Sequence, residues 1–205
     1  MSSTTFSRLF LVLFLAALPA ILHGCAPSTE ITPQGGYRTI AVDPRRDTDM
    51  ARQLNLEGMD SIAAGHLDKA AAAFTKALDA DVEFGPAHNN LGLVYYRQKD
   101  WYKAAWEFQY AINLLPRFAE PRNNLGLVLE ESGQLDKAVE QYRAAVELGG
   151  DIEYRANLAR GLLRRDGHTD EVRSLLQLIF QKDTRAPWRD WARRELAAMG
   201  VAAPQ

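Results

Sequence analysis

Glycine recurs at 34-residue intervals, at Gly58, Gly92 and Gly126, and the surrounding text recurs with it. His88-Asn89-Asn90-Leu91-Gly92-Leu93-Val94 returns as Arg122-Asn123-Asn124-Leu125-Gly126-Leu127-Val128. Few folds accept such a period. A unit of this length holds two short helices, and its apolar face is too small to be buried by the unit alone. Units therefore stack, each against its neighbours, into an all-α array. Arrays of this kind present an extended surface to other proteins and seldom catalyse.

The residues between the glycines support helices. Leu135, Ala138, Val139, Tyr142, Ala145 and Val146 follow the i, i+3, i+4, i+7 stripe of a half-buried helix. Gly92 and Ala104 are small enough for two helices of one hairpin to approach closely, and Tyr95 and Phe108 are large enough to fill the space between hairpins. Lys99 and Gly133 mark turns, and Pro116 ends a helix. Together these features predict helices near 49–63, 67–80, 86–97, 101–114, 120–131, 135–148, 152–165 and 169–181. After Pro187, Trp188, Trp191, Ala192 and Leu196 mark one face of a further helix, expected to cap the open apolar end; an exposed amphipathic helix for a partner is the alternative.

The pattern resembles the tetratricopeptide repeat. The unit from Gly85 matches through Leu91, Gly92, Tyr95, Ala104, Phe108, Ala111 and Pro116. The unit from Ala119 matches through Leu125, Gly126, Leu129, Gly133, Ala138, Tyr142 and Ala145. A first unit from Ala51 carries Gly58, Gly65, Ala70, Phe74, Ala77 and Leu78. A fourth is eroded: Asn157-Leu158-Ala159 comes one residue early, and Val172 and Leu176 replace the alanine and the aromatic. The resemblance implies a right-handed superhelix of antiparallel helix pairs, about four hairpins plus the capping helix, over residues 48–200.

It also implies where a ligand sits, since the first helix of each pair lines the concave groove. Asn90, Asn124 and Asn157 take the sixth place of three consecutive units, with Asn89 and Asn123 beside them. An amide side chain offers a donor and an acceptor, so a row of them can hold an extended peptide backbone. This is similar to the asparagine ladder of the O-GlcNAc transferase repeats; the alternative is that the asparagines pair with neighbouring helix ends. Leu93 and Leu127 offer apolar contacts. Tyr96, Arg97, Arg160 and Arg164 offer groups for an acidic or carboxylate end, although the lysines of the chaperone-adaptor clamp are missing and Glu130 and Glu131 stand in their place.

Chemistry-bearing patterns are absent from the sequence. His23, His66, His88 and His168 have no metal-ligand spacing. No nucleophile elbow, phosphate loop or dinucleotide glycine pattern occurs. Glu130-Glu131 reads as a helix-surface pair without the burial that acid–base work needs. No cofactor is expected. The net charge of -2 is too balanced for nucleic acid. Trp101 and Trp106 read as packing residues, with Trp106 also placed to face a partner.

The beginning of the chain reads as an address. Arg8 precedes an apolar run from Leu9 to Leu22, short for a membrane span, which needs about 17–25 residues. Leu22-His23-Gly24-Cys25 resembles the bacterial lipobox, despite His23. That resemblance implies a signal peptide over 1–24 and a covalent lipid on Cys25, the sole cysteine, which has no disulfide partner in the chain. An uncleaved anchor or a lone buried thiol are the alternatives. Ala26 leaves the outer membrane, facing the periplasm, as the expected destination. Pro27, Pro33, Gly35, Gly36 and Pro44 make 25–47 a tether; docking through Tyr37, Ile40 and Val42 is its alternative. Residues 201–205 form a tail.

The expected function is a non-catalytic scaffold, lipid-anchored in the bacterial envelope, that holds a protein, peptide or helix in its groove. Lipoproteins of pilus and secretin assembly offer the nearest precedent. The alternatives are an adaptor subunit of an envelope hydrolase, protease or transferase, and a homo-oligomer through the Trp188–Trp191 face.

Overall fold

The computed structural model of the chain describes residues 46–201. Cys25, the leader and most of the tether lie outside these residues, as does the tail from residue 202. Among the described residues there are nine helices: α1 Thr48–Ala63, α2 Leu67–Ala80, α3 Gly85–Arg97, α4 Trp101–Leu114, α5 Ala119–Glu131, α6 Leu135–Gly149, α7 Ile152–Asp166, α8 Asp170–Lys182 and α9 Ala186–Ala198. The eight helices of the repeats begin and end within one residue of the boundaries predicted from sequence. Four hairpins, α1–α2, α3–α4, α5–α6 and α7–α8, stack in chain order. The first helices of consecutive hairpins also touch, α1 with α3, α3 with α5 and α5 with α7.

Local chemistry explains the helix starts and turns. Asp47, Asp100 and Thr169 accept from backbone N–H groups of Met50, Lys103 and Val172, capping α1, α4 and α8. The turn inside each hairpin passes through one left-handed residue. These are Gly65, Lys99, Gly133 and Gly167, at φ of 79°, 63°, 75° and 75°, each 34 residues after the last. Lys99 therefore occupies a position built for glycine.

Packing inside a hairpin rests on one recurring contact. A Cβ added at Gly58, Gly92 or Gly126 would lie 2.4, 2.7 or 2.5 Å from the ring of Phe74, Phe108 or Tyr142 in the same unit. The ring covers the glycine of its own hairpin, and Phe108 then joins Leu125 and Val128 of the next. Hairpins are thus closed by the same side chains that join them, which is why no unit stands alone.

The two ends of the array are finished differently. The leucine before the repeat glycine is buried as Leu91 and Leu125, and as Leu158 in the eroded unit. In the first unit Glu57 takes this place and is exposed, with no hairpin before it among the described residues. At the other end, Ala192 and Leu196 of α9 are fully buried against Val172, Leu176 and Ile179 of α8. Trp188 and Trp191 are half-buried on the same cluster, edge to face at 5.4 Å. The expected cap is present.

The tether boundary shifts. Arg46 and Asp47, counted with the tether on composition, are bonded to the array. Arg46 reaches the buried carboxylate of Asp81 at 2.9 Å and also Glu83, and the Asp47 N–H donates to the Ala80 carbonyl. Thr48 Oγ1 donates to Asp81 at 2.7 Å. Asp81 buries a charge between two hairpins and needs these donors, which a reading of composition does not see.

Candidate peptide groove

The asparagines fall into one row along α1, α3, α5 and α7, joined from repeat to repeat. Asn90 Nδ2 donates to Asn55 Oδ1 at 2.9 Å, Asn124 Nδ2 to Asn89 Oδ1 at 3.1 Å, and Asn157 Nδ2 to Asn123 Oδ1 at 2.8 Å. One rule covers all three: the later asparagine donates, and its partner is the asparagine one place earlier in the preceding unit. Asn157 obeys it although the fourth unit is eroded. The loop before α7 is shorter than the other loops between hairpins, so Asn157 arrives at the level of Asn90 and Asn124.

This arrangement corrects the expectation of an open amide ladder. Asn89, Asn123, Asn124 and Asn157 are buried, and each spends an amide group on the neighbouring repeat. Their first role is to stitch adjacent hairpins, since a buried amide left unpaired would be costly. Asn90 alone of the five is half-buried. Its Nδ2 is oriented by Asn55, and among the described residues no protein donor reaches its Oδ1. Asn55 escaped the sequence reading, yet it stands 34 residues before Asn89 and 68 before Asn123, and that spacing was visible.

Asn90 opens into a pocket of about 280 Å³ that it shares with Asn55, Met59, Phe118 and Glu120. Met59 and Phe118 are exposed large apolar side chains, and Leu56 is exposed one turn before Met59. The pocket lining combines amide groups, apolar side chains and one carboxylate. Leu93 and Leu127 are half-buried and pack on the apolar clusters behind the row. Tyr96 is half-buried against Trp101 at 5.4 Å, and Arg97 is exposed.

A second correction concerns Glu130, read from sequence as a surface carboxylate. It is 2% exposed. Tyr142 donates to it at 2.7 Å, Arg160 through Nε and Nη2 at 3.0 Å each, and Arg164 through Nη1 at 2.8 Å. Burial opposes its charge, but the hydrogen bonds from Arg160 and Tyr142 outweigh it and hold the carboxyl below the ordinary glutamate range. Burial and the adjacent Glu130 charge push the Tyr142 phenol far upward, so it remains a donor. Arg160 and Arg164 were read as groups that could meet an acidic end, with no carboxylate clamp assigned; the structure gives them an internal carboxylate. Trp188 of the cap lies 5.6 Å from the Arg160 guanidinium, so this cluster also ties α9 to α5 and α7. Tyr142 stands where the first two units have Phe74 and Phe108. Its hydroxyl needs an acceptor there, and Glu130 is that acceptor.

With this geometry in view, comparison with known proteins is informative. Residues 55–116 and residues 119–148 match models of the tetratricopeptide repeat. Those two stretches carry tetratricopeptide repeats. Solved structures of such repeats superpose on it. The first repeat domain of Spaghetti (RPAP3), bound to the HSP90 peptide SRMEEVD, is 22% identical with a TM-score of 0.58, over 60% of this chain and 98% of that one. YrrB, a repeat protein with an unusual peptide-binding site, is 24% identical with a TM-score of 0.60, over 73% of this chain and 78% of its own. An O-GlcNAc transferase of Thermobaculum terrenum is 24% identical with a TM-score of 0.61, over 73% of this chain but 27% of the transferase. At these identities the likeness is one of fold. No curated protein matches the chain.

Among the described residues no helix is long and apolar enough to cross a membrane, and no group of three His, Cys, Asp or Glu side chains is placed to hold a metal ion. Repeats of this family generally mediate protein–protein interaction and peptide binding.

Proposed function

We propose that this protein is a lipid-anchored scaffold of the bacterial envelope that binds an extended segment of a partner protein at the early end of its groove. The observation that carries the reading is Asn90. It is oriented by Asn55, its Oδ1 accepts from no donor among the described residues, and it lines a pocket together with Met59 and Phe118. An extended peptide would place a backbone N–H on that oxygen and an apolar side chain between the two walls. Peptide binding in the RPAP3 domain and in YrrB supports testing a peptide first. The Cys25 lipid rests on the lipobox resemblance alone, and assistance to a pilus or secretin machine rests on the leader together with the repeats.

Two measurements test these parts separately. Full-length acylated protein is used to capture partners from envelope extract, beside Asn90→Ala and Met59→Asp variants. Loss of the same partner from both variants, with unchanged circular dichroism, supports the groove; equal capture refutes it. Labelling with a radioactive fatty acid tests the anchor. Label present in the parent and absent from Cys25→Ser supports it, and an unlabelled parent refutes it.

A further inference from the structure

Helix α4 carries a run of aromatic rings that the repeat does not require. Tyr102, Trp106 and Tyr110 are 77, 55 and 44% exposed. They stand at i, i+4 and i+8, with Tyr102 and Trp106 centroids 6.5 Å apart and Trp106 and Tyr110 5.6 Å apart. Tyr110 also stacks on the buried ring of His88 at 5.2 Å. The other units show what the fold asks of these places. Asp68, Asp136 and Asp170 correspond to Tyr102; Ala72, Glu140 and Ser174 to Trp106; Lys76, Ala144 and Leu178 to Tyr110. Only Leu178 is large and apolar. Packing therefore does not explain three exposed aromatics on one helix.

The surroundings define an occupant. On α4 itself the charges beside the stripe are matched: Lys103 with Asp100 at 2.8 Å, and Glu107 with His88 at 2.7 Å. A segment laid along α4 therefore needs no charge of its own. The three rings expose on the order of 400 Å², half of the roughly 800 Å² that each partner of a stable dimer buries. The stripe is one helix wide and about 12 Å long, which suits a single linear segment. A polyproline II strand advances about 6 Å every second residue and leaves its carbonyls without internal partners. The two tyrosine hydroxyls and the Trp106 indole N–H bond no protein acceptor among the described residues, and they are donors. At the Tyr102 end the stripe runs into an apolar cleft of about 640 Å³, walled by Trp101, Ala105 and Leu129.

We propose that Tyr102, Trp106 and Tyr110 form a second docking surface, separate from the asparagine row, for a neutral proline-rich segment of a partner protein in polyproline II conformation. The rings pack against proline faces while the hydroxyls and the indole bond the strand's carbonyls. The array then holds two segments on different helices of the same units.

The test is isothermal titration of the full-length protein with decaproline, and with a glycine–serine decapeptide as control. Saturable binding of decaproline alone, weakened at least about tenfold by Trp106→Ala and unchanged by Asn90→Ala, supports the proposal. Trp106 is exposed, so the variant folds; an unchanged thermal melt verifies this. Absence of saturable binding, or equal binding by Trp106→Ala, overturns it. Sedimentation closes the remaining route: a concentration-dependent dimer abolished by Trp106→Ala would assign the stripe to a second copy and also overturn the proposal.

Discussion

The Glu130 cluster makes a quantitative prediction. In Glu130→Ala the Tyr142 hydroxyl, on a side chain with no exposed surface, loses its acceptor. An unsatisfied buried hydroxyl costs about 1–3 kcal/mol. Arg160 and Arg164 also lose their partner, but their side chains are 32 and 47% exposed and re-enter water. Their loss therefore adds less than the roughly 3–5 kcal/mol of a fully buried broken pair. The expected destabilisation is about 2–3 kcal/mol. Tyr142→Phe leaves Glu130 with two arginines and costs about 1 kcal/mol. The double variant removes the orphaned hydroxyl, and the first two units show that phenylalanine suits this place, as Phe74 and Phe108. Its cost should fall short of the sum of the singles by about 1 kcal/mol. Urea unfolding followed by both circular dichroism and tryptophan emission measures all four proteins. Additivity within about 0.3 kcal/mol would refute the claim that the hydroxyl and the carboxylate answer each other. Acid gives a second reading. The Glu130 carboxyl is held below its unfolded value, so its contribution is present above the ordinary glutamate range and is lost as pH falls through the folded value. Glu130→Ala should lack that component of acid destabilisation.

Other perturbations follow from single positions. Lys99→Gly relieves a left-handed lysine at φ 63° and should raise stability by about 0.5–1 kcal/mol after the entropy of glycine is subtracted; a lower melting temperature would count against it. His88 has Glu107 Oε2 at 2.7 Å from Nδ1 and the Val82 carbonyl at 2.9 Å from Nε2, two acceptors that only the doubly protonated ring satisfies. Burial lowers its pKa, but these bonds outweigh burial and raise it. Its contribution is therefore complete below about 6.5 and is lost as pH rises through the folded value. Glu107→Gln should flatten that loss, as read by urea midpoints across the range. Leu196→Ala should cost about 2–4 kcal/mol and speed amide exchange in α8, which it covers; exchange confined to α9 would show that the cap does not support the last hairpin.

Much of the fold was legible in the sequence because the repeat writes it several times. Gly58, Gly92 and Gly126 fix the period, and the aromatics sixteen residues later fix what lies on them. Helix ends could be read from Gly133, Pro116 and Pro187, since backbone limits at glycine and proline act locally. The candidate site was legible in part. Asn90, Asn124 and Asn157 were recognisable as a row, because consecutive first helices must align. What the row bonds to was not, because that depends on the distance between neighbouring helices.

The sequence by itself determined the array, its unit boundaries and its capped end, all of which follow from periodicity and local backbone preference. Tertiary structure alone decided that all five asparagines bond across repeats and that Asn90 alone of them is left half-buried beside a pocket. It also turned Arg160 and Arg164 inward onto Glu130 and left Trp106 in solvent. For the polar groups the physical reason is common. A polar side chain bonds the nearest satisfied geometry, and the groups that supply it lie about one repeat away along the chain, 34 residues from Asn123 to Asn157 and 30 from Glu130 to Arg160. Only stacking brings them within reach.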